Sequence, residues 1–195
     1  MNKILTRILD SVQTMVETYP SHLYDESLIK HKIIQILLDE IDNPYDIKNL
    51  QIEKTCKISN VNRCDIFFQF NNEKVFLELK LNRLVLKISD DKLSGGNVFS
   101  GDILAILKDF DQMKAINYGE KYLFLLMQNR GVKINMNYKR SLNEYSEEKQ
   151  TKDSIRLMSI IENRDESSEV LADKIIQGKV NGIQVPFRML LFKIK

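Results

Sequence analysis

The sequence predicts an α/β fold, a single domain over residues 1–195 built on a mixed β-sheet flanked by helices. Three observations carry that reading. From Asp25 to Met127 the apolar pattern runs helix, strand, strand, strand, helix, strand. Antiparallel strands followed by a helical crossover to a further strand make a mixed sheet covered on both faces. Within that order, Lys121-Tyr122-Leu123-Phe124-Leu125-Leu126-Met127 is a continuous apolar run, as in a strand buried on both sides. Finally, 195 residues with 43% hydrophobic content suffice for one domain with a real core.

The elements follow in order. Ile4, Leu5, Ile8, Leu9, Val12, Met15 and Val16 recur at helical spacing, which predicts an amphipathic helix over 3–18 ended by Tyr19-Pro20-Ser21. A second helix is expected from Asp25 to Ile41, with Leu28, Ile29, Ile33, Ile36, Leu37 and Ile41 on its buried side. Asp25 and Glu26 fall in its first turn, where negative charge suits the helix dipole. After the turn Asn43-Pro44-Tyr45-Asp46, Leu50, Ile52 and Ile58 mark a strand around 48–58.

Next come Cys64-Asp65-Ile66-Phe67-Phe68-Gln69-Phe70 and Val75-Phe76-Leu77-Glu78-Leu79-Lys80, separated by Asn71-Asn72-Glu73-Lys74. The composition reads as two strands and a polar turn. A four-residue loop places Phe70 opposite Val75, Phe67 opposite Glu78 and Asp65 opposite Lys80. Because side chains alternate, Asp65, Glu78 and Lys80 then share one face with Phe67, Gln69 and Phe76. Ile66, Phe68, Phe70, Val75, Leu77 and Leu79 form the core face, which pins the register. On the diagonal, Asp65 and Glu78 stand roughly 7–8 Å apart at the backbone, within reach of one ion.

After Leu81-Asn82-Arg83, a less regular segment through Asp90-Asp91-Lys92-Leu93-Ser94-Gly95-Gly96-Asn97 has loop composition. Ser100-Gly101-Asp102 offers caps for a helix to about Asn117, striped by Ile103, Ile106, Leu107, Phe110, Met113 and Ile116. Beyond the apolar strand, Val132, Ile134, Met136 and Tyr138 alternate as in a half-buried strand. Residues 139–195 form an extension: a polar excursion over 139–153, helices near Asp153–Asn163 and Ser167–Gln177 with Gly178 as a stop, and a last strand over Val185–Ile194.

The arrangement of Asp65 at the head of one strand and Glu78-Leu79-Lys80 on the next resembles the PD-(D/E)XK nuclease superfamily, the restriction-endonuclease-like fold. The αβββαβ order over residues 25–127 is similar to that family's core. Cys64 stands where the motif name has proline. The resemblance implies that Asp65 and Glu78 are metal-binding carboxylates, that Lys80 is the catalytic lysine, and that Glu26 is the helical glutamate many members add; Glu40 and Glu53 are alternatives for that last role. It also implies Mg²⁺, with Mn²⁺ as substitute, held by Asp65, Glu78 and the Leu79 carbonyl.

Those residue types suit the chemistry. Hydrolysing a phosphodiester requires charge stabilisation on the phosphate and a nucleophile made from water, and a hard cation on oxygen ligands assists both. Lys80 beside it would orient or deprotonate the water, or offset phosphate charge. An ion pair between Asp65 and Lys80 is the plainer explanation of the same residues. Lys108, Gln112 and Lys114 lie on the polar side of the 102–117 helix, where family members often place a glutamine or lysine facing the site. Arg63, Arg83 and Lys87 are candidates for phosphate contacts.

Other chemistries have little support. His22 and His31 lack metal spacing, Gly95-Gly96 lacks the lysine–serine context of a phosphate loop, and the two cysteines, Cys56 and Cys64, read as buried thiols in a reducing compartment. A net charge of +2 means that any nucleic-acid contact rests on local charge. The expected protein is a cytoplasmic, Mg²⁺-dependent DNA endonuclease of restriction, phage defence or repair, without a membrane span and acting as a homodimer. A structure-specific or RNA-cleaving nuclease, and a catalytically silent nucleic-acid-binding subunit, are the alternatives.

Overall fold

The structure, a computed structural model, describes residues 1–19, 25–40, 47–54, 64–82, 87–89, 92–94, 99–128, 134–135, 168–180 and 183–195. The expectations for Cys56, Arg63, Arg83, the Lys87 side chain, the turn at 43–46, Gly95-Gly96, residues 139–153 and the helix at 153–163 lie outside the described residues.

The described part is a mixed α/β structure. Helix α1 (Asn2–Thr18) buries all seven residues of its predicted stripe. In α2 (Glu26–Glu40), Ile29, Ile33, Ile36 and Leu37 are buried as expected, while Leu28 is exposed and Ile34 packs inward instead. Strands β1 (Ile47–Lys54), β2 (Cys64–Phe70) and β3 (Glu73–Asn82) form an antiparallel run. Helix α3 (Phe99–Lys114) then crosses over to β6 (Glu120–Gln128), which lies parallel to β3.

The main sheet has six strands in the order β1-β2-β3-β6-β9-β8, completed by the antiparallel strands β8 (Glu169–Val180) and β9 (Ile183–Ile194). Helices α1 and α2 cover one face, packing on Ile66, Phe68, Leu77, Phe124 and Met189. Helix α3 covers the other, over Phe67, Phe76, Leu123, Leu125 and Phe192. The sheet is therefore buried on both sides, which is why β6 reads as an unbroken apolar run.

Three expectations are corrected. The hairpin turn is Asn71-Asn72 alone, so Phe70 pairs with Glu73 and Phe67 with Phe76. Both asparagines take left-handed φ values, +49° and +66°. Asparagine tolerates that conformation, and a two-residue turn of this kind matches the right-handed twist of the strands. The register thus shifts by two, which keeps every residue on its predicted face.

Residues 169–180 are a strand, not the helix expected over Ser167–Gln177. Ile176 and Gly178 are buried while Ile175, Gln177 and Lys179 are exposed, a period of two. Arg188 of β9 ties back to Asp173 of β8 by a bidentate pair, Nε donating to Oδ1 and Nη2 to Oδ2. Gly178 lies in the strand against Phe187, where an added Cβ would come within 2.5 Å of the ring.

The segment after Lys80 is also more regular than its composition suggests. Strand β3 runs on to Asn82, and β4 (Lys87–Ser89) and β5 (Lys92–Ser94) pair with each other. They form a second, three-stranded sheet with β7 (Ile134–Asn135), the described part of the strand expected over 132–138. No helix among the described residues is long and apolar enough to cross a membrane.

Candidate active site

The register that pairs Ile66 with Leu77 brings Asp65 opposite Glu78 one step further along. There the strands are joined by side chains. The Asp65 amide donates to Glu78 Oε2 at 3.1 Å, and the Leu79 amide donates to Asp65 Oδ2 at 2.8 Å. Each carboxylate thus accepts the amide of the opposite strand, closing the end of the ladder where backbone partners give out.

Helix α2 approaches the same point. Asp25 caps it, its Oδ1 accepting from the Leu28 amide at 2.8 Å. That leaves Glu26 to reach the sheet, where Oε2 accepts from the Leu81 amide at 3.1 Å. One turn on, Lys30 places its ammonium 2.6 Å from Asp65 Oδ1 and 3.8 Å from Glu53 Oε1. From the opposite face, α3 brings Asp109 to Lys80, with Nζ to Oδ2 at 3.1 Å. Asp109 Oδ2 is buried and makes no well-angled hydrogen bond among the described residues, so this contact is an ion pair.

The electrostatics follow from this crowding. Burial, with Asp65 and Asp109 nearby, pushes the Glu78 carboxyl up to about 8; the Asp65 amide and Lys80 offset only part of that. Burial works against the charge of Lys80, but Asp109, Glu26 and Glu78 outweigh it and hold the ammonium above the usual lysine range. Lys30 is likewise held up, against its burial, chiefly by Asp65. Glu26, Asp65, Glu78 and Asp109 therefore face Lys30 and Lys80, and the region is short of positive charge around Glu78.

That shortage is the condition a hard divalent cation relieves. Among the described residues no group of three His, Cys, Asp or Glu is gathered to hold one ion. Asp65 and Glu78 stand side by side while Glu26 turns to the Leu81 amide and Asp109 to Lys80, so the side chains fit a two-carboxylate site completed by a carbonyl and waters. The Leu79 amide is directed at Asp65, and the carbonyl of a strand residue lies on the same side as its amide.

Of the residues singled out from the sequence, Asp65 and Glu78 are brought side by side and Glu26 is joined to the end of β3. Lys80 shares their face but pairs with Asp109 rather than across to Asp65. Glu40 sits at the opposite end of α2, about 21 Å along the axis, and Glu53 contacts Lys30. Cys64 is a buried residue beside Asp65. On α3, Lys108 is exposed and Gln112 half-buried; the residue delivered to Lys80 is Asp109.

Two residues were missed by sequence reasoning, Lys30 and Asp109. Lys30 lies four residues after Glu26, the spacing that puts both on one helix face. Asp109 lies within the stripe of Ile106, Phe110 and Met113, where a carboxylate is worth a question. No family model matches the chain, and no curated protein or solved structure matches it.

Proposed function

We propose that the protein is a Mg²⁺-dependent endonuclease hydrolysing DNA phosphodiester bonds, on a restriction-endonuclease-like fold of the PD-(D/E)XK type. One observation carries the reading: Asp65 and Glu78 are fastened side by side at the end of a two-stranded ladder, with Lys80 on the same face. The helix–three-strand–helix–strand order of the main sheet, with β4 and β5 set apart in the second sheet, supports it.

Asp65, Glu78 and the Leu79 carbonyl would hold Mg²⁺ or Mn²⁺. When bound, such a cation supplies charge to the attacked phosphate and makes water a better nucleophile. The protein's own groups do the rest. The crossed amide bonds hold the two carboxylates in place. Glu26 fixes the end of β3 through Leu81, so that Glu78 and Lys80 keep their spacing. The Lys80 ammonium offsets phosphate charge or orients the attacking water, and Asp109 is the positioning residue that holds it in place by an ion pair. DNA is the proposed partner, cut on two strands by a homodimer.

The test is cleavage of plasmid DNA, branched junctions and transfer RNA in Mg²⁺ by the wild type, Asp65→Asn and Lys80→Ala. Cleavage of plasmid DNA that both substitutions abolish supports the reading; activity indifferent to both refutes it. Activity confined to junctions or transfer RNA moves the substrate class. A silent, binding-only fold has one observation in its favour: Lys30 and the Leu79 amide engage both Asp65 oxygens. Binding of the same nucleic acids without cleavage and without Mg²⁺ would select it.

A further inference from the structure

We propose that Lys30 sets how tightly the site takes a divalent cation, by acting as the resident counter-charge that the cation has to displace from Asp65. This rests on the reading of Asp65 and Glu78 as metal ligands. Asp65 Oδ2 accepts the Leu79 amide, and the Lys30 ammonium lies 2.6 Å from Oδ1, the oxygen left to face a ligand. The contact is close and sheltered, with the side chains of Lys30 and Asp65 only 13% and 14% exposed. A divalent ion on the same oxygen would lie within a few ångströms of the ammonium, and in a half-buried setting like charges at that range repel strongly.

The surroundings tell which part moves. The α2 backbone is held by Ile29 and Ile33, both fully buried, by the Asp25 cap and by the Glu26 bond to Leu81. The Lys30 side chain is what remains to swing. Glu53 is already 3.8 Å from its ammonium, and its side chain is 56% exposed. It offers a second, wetter resting place of the right charge. The exchange is therefore a transfer of Lys30 from Asp65 towards Glu53 as the cation takes its place on the carboxylate, with no covalent bond made or broken.

The test is calorimetric titration of the full chain with Mn²⁺ and Mg²⁺ alone, using the wild type, Lys30→Met and Lys30→Arg, each checked for folding by thermal melting. Lys30→Met is expected to bind about tenfold tighter or more, the scale of removing one nearby charge. Lys30→Arg is expected to bind like the wild type. Lys30→Gln, which keeps a donor to Asp65 without the charge, answers the same question should the methionine variant fail to fold. Equal or weaker binding by the folded uncharged variants overturns the proposal and leaves the metal site standing. Absence of heat from every protein overturns both, whereas heat from the uncharged variants alone supports both.

Discussion

Asp65 and Glu78 are tied crosswise, the amide of Asp65 on Glu78 Oε2 and the carboxylate of Asp65 on the amide next to Glu78. The arrangement makes the two carboxylates part of the sheet's hydrogen bonding as well as candidates for chemistry. The two roles separate on isosteric substitution. Asp65→Asn retains an oxygen for the Leu79 amide and loses the charge. Cleavage by this variant is expected to fall on the order of 10²-fold or more, while its thermal melt shows a folded chain.

Glu78 makes the stability of the protein depend on pH. Its carboxyl ordinarily titrates near 4.5 and is pushed up to about 8 by burial and by Asp65 and Asp109. Between those values the folded chain holds a proton that the unfolded chain has released. The contribution of Glu78 to stability is therefore full below about 4.5 and is lost as pH rises from there through 8. At roughly 1.4 kcal/mol per unit, the decline is on the order of 5 kcal/mol. Urea melts in chelator from pH 4 to 9 should show it, and Glu78→Gln should flatten the curve.

Asp109 is the chief of the acidic neighbours that raise the Lys80 ammonium against its burial. Removing its carboxylate in Asp109→Asn leaves burial less opposed, so the Lys80 ammonium should titrate at lower pH than in the wild type. Nitrogen-detected resonance of the lysine side chain measures this directly. An unchanged Lys80 titration would mean that the pair is not maintained in solution.

The turn gives a prediction about stability alone. Asn72 holds φ +66°, a conformation glycine accepts without strain, and asparagine–glycine is the favoured pair for this turn. Asn72→Gly should change stability by only a few tenths of a kcal/mol, whereas Asn72→Val should cost about 1–2 kcal/mol. Chemical denaturation of the two variants distinguishes the two-residue turn from a longer loop, which would tolerate both.

Much of the site was legible because period-two alternation survives a register error. The four-residue loop expected at Asn71–Lys74 shifts the pairing by two, and a shift of two leaves Asp65, Glu78 and Lys80 on one face. Their partners were less legible: Lys30 and Asp109 arrive from different helices and the contacts span long stretches of chain, so no local pattern announces them. Residues 169–180 form a strand where a helix is expected over Ser167–Gln177, and Asn181-Gly182 stands in the sequence between the paired Val180 and Ile183. That dipeptide is the strongest short hairpin signal there is, and it outranks helix propensity on either side.

The central claim is that Asp65 and Glu78 share a divalent cation. Anomalous diffraction from a crystal of the full chain grown with Mn²⁺ tests it most directly. The account predicts a manganese peak within coordination distance of carboxylate oxygens from both Asp65 and Glu78, with the Lys30 ammonium withdrawn from Asp65. Manganese bound elsewhere, with Asp65 still paired to Lys30 and no peak at Glu78, would contradict it.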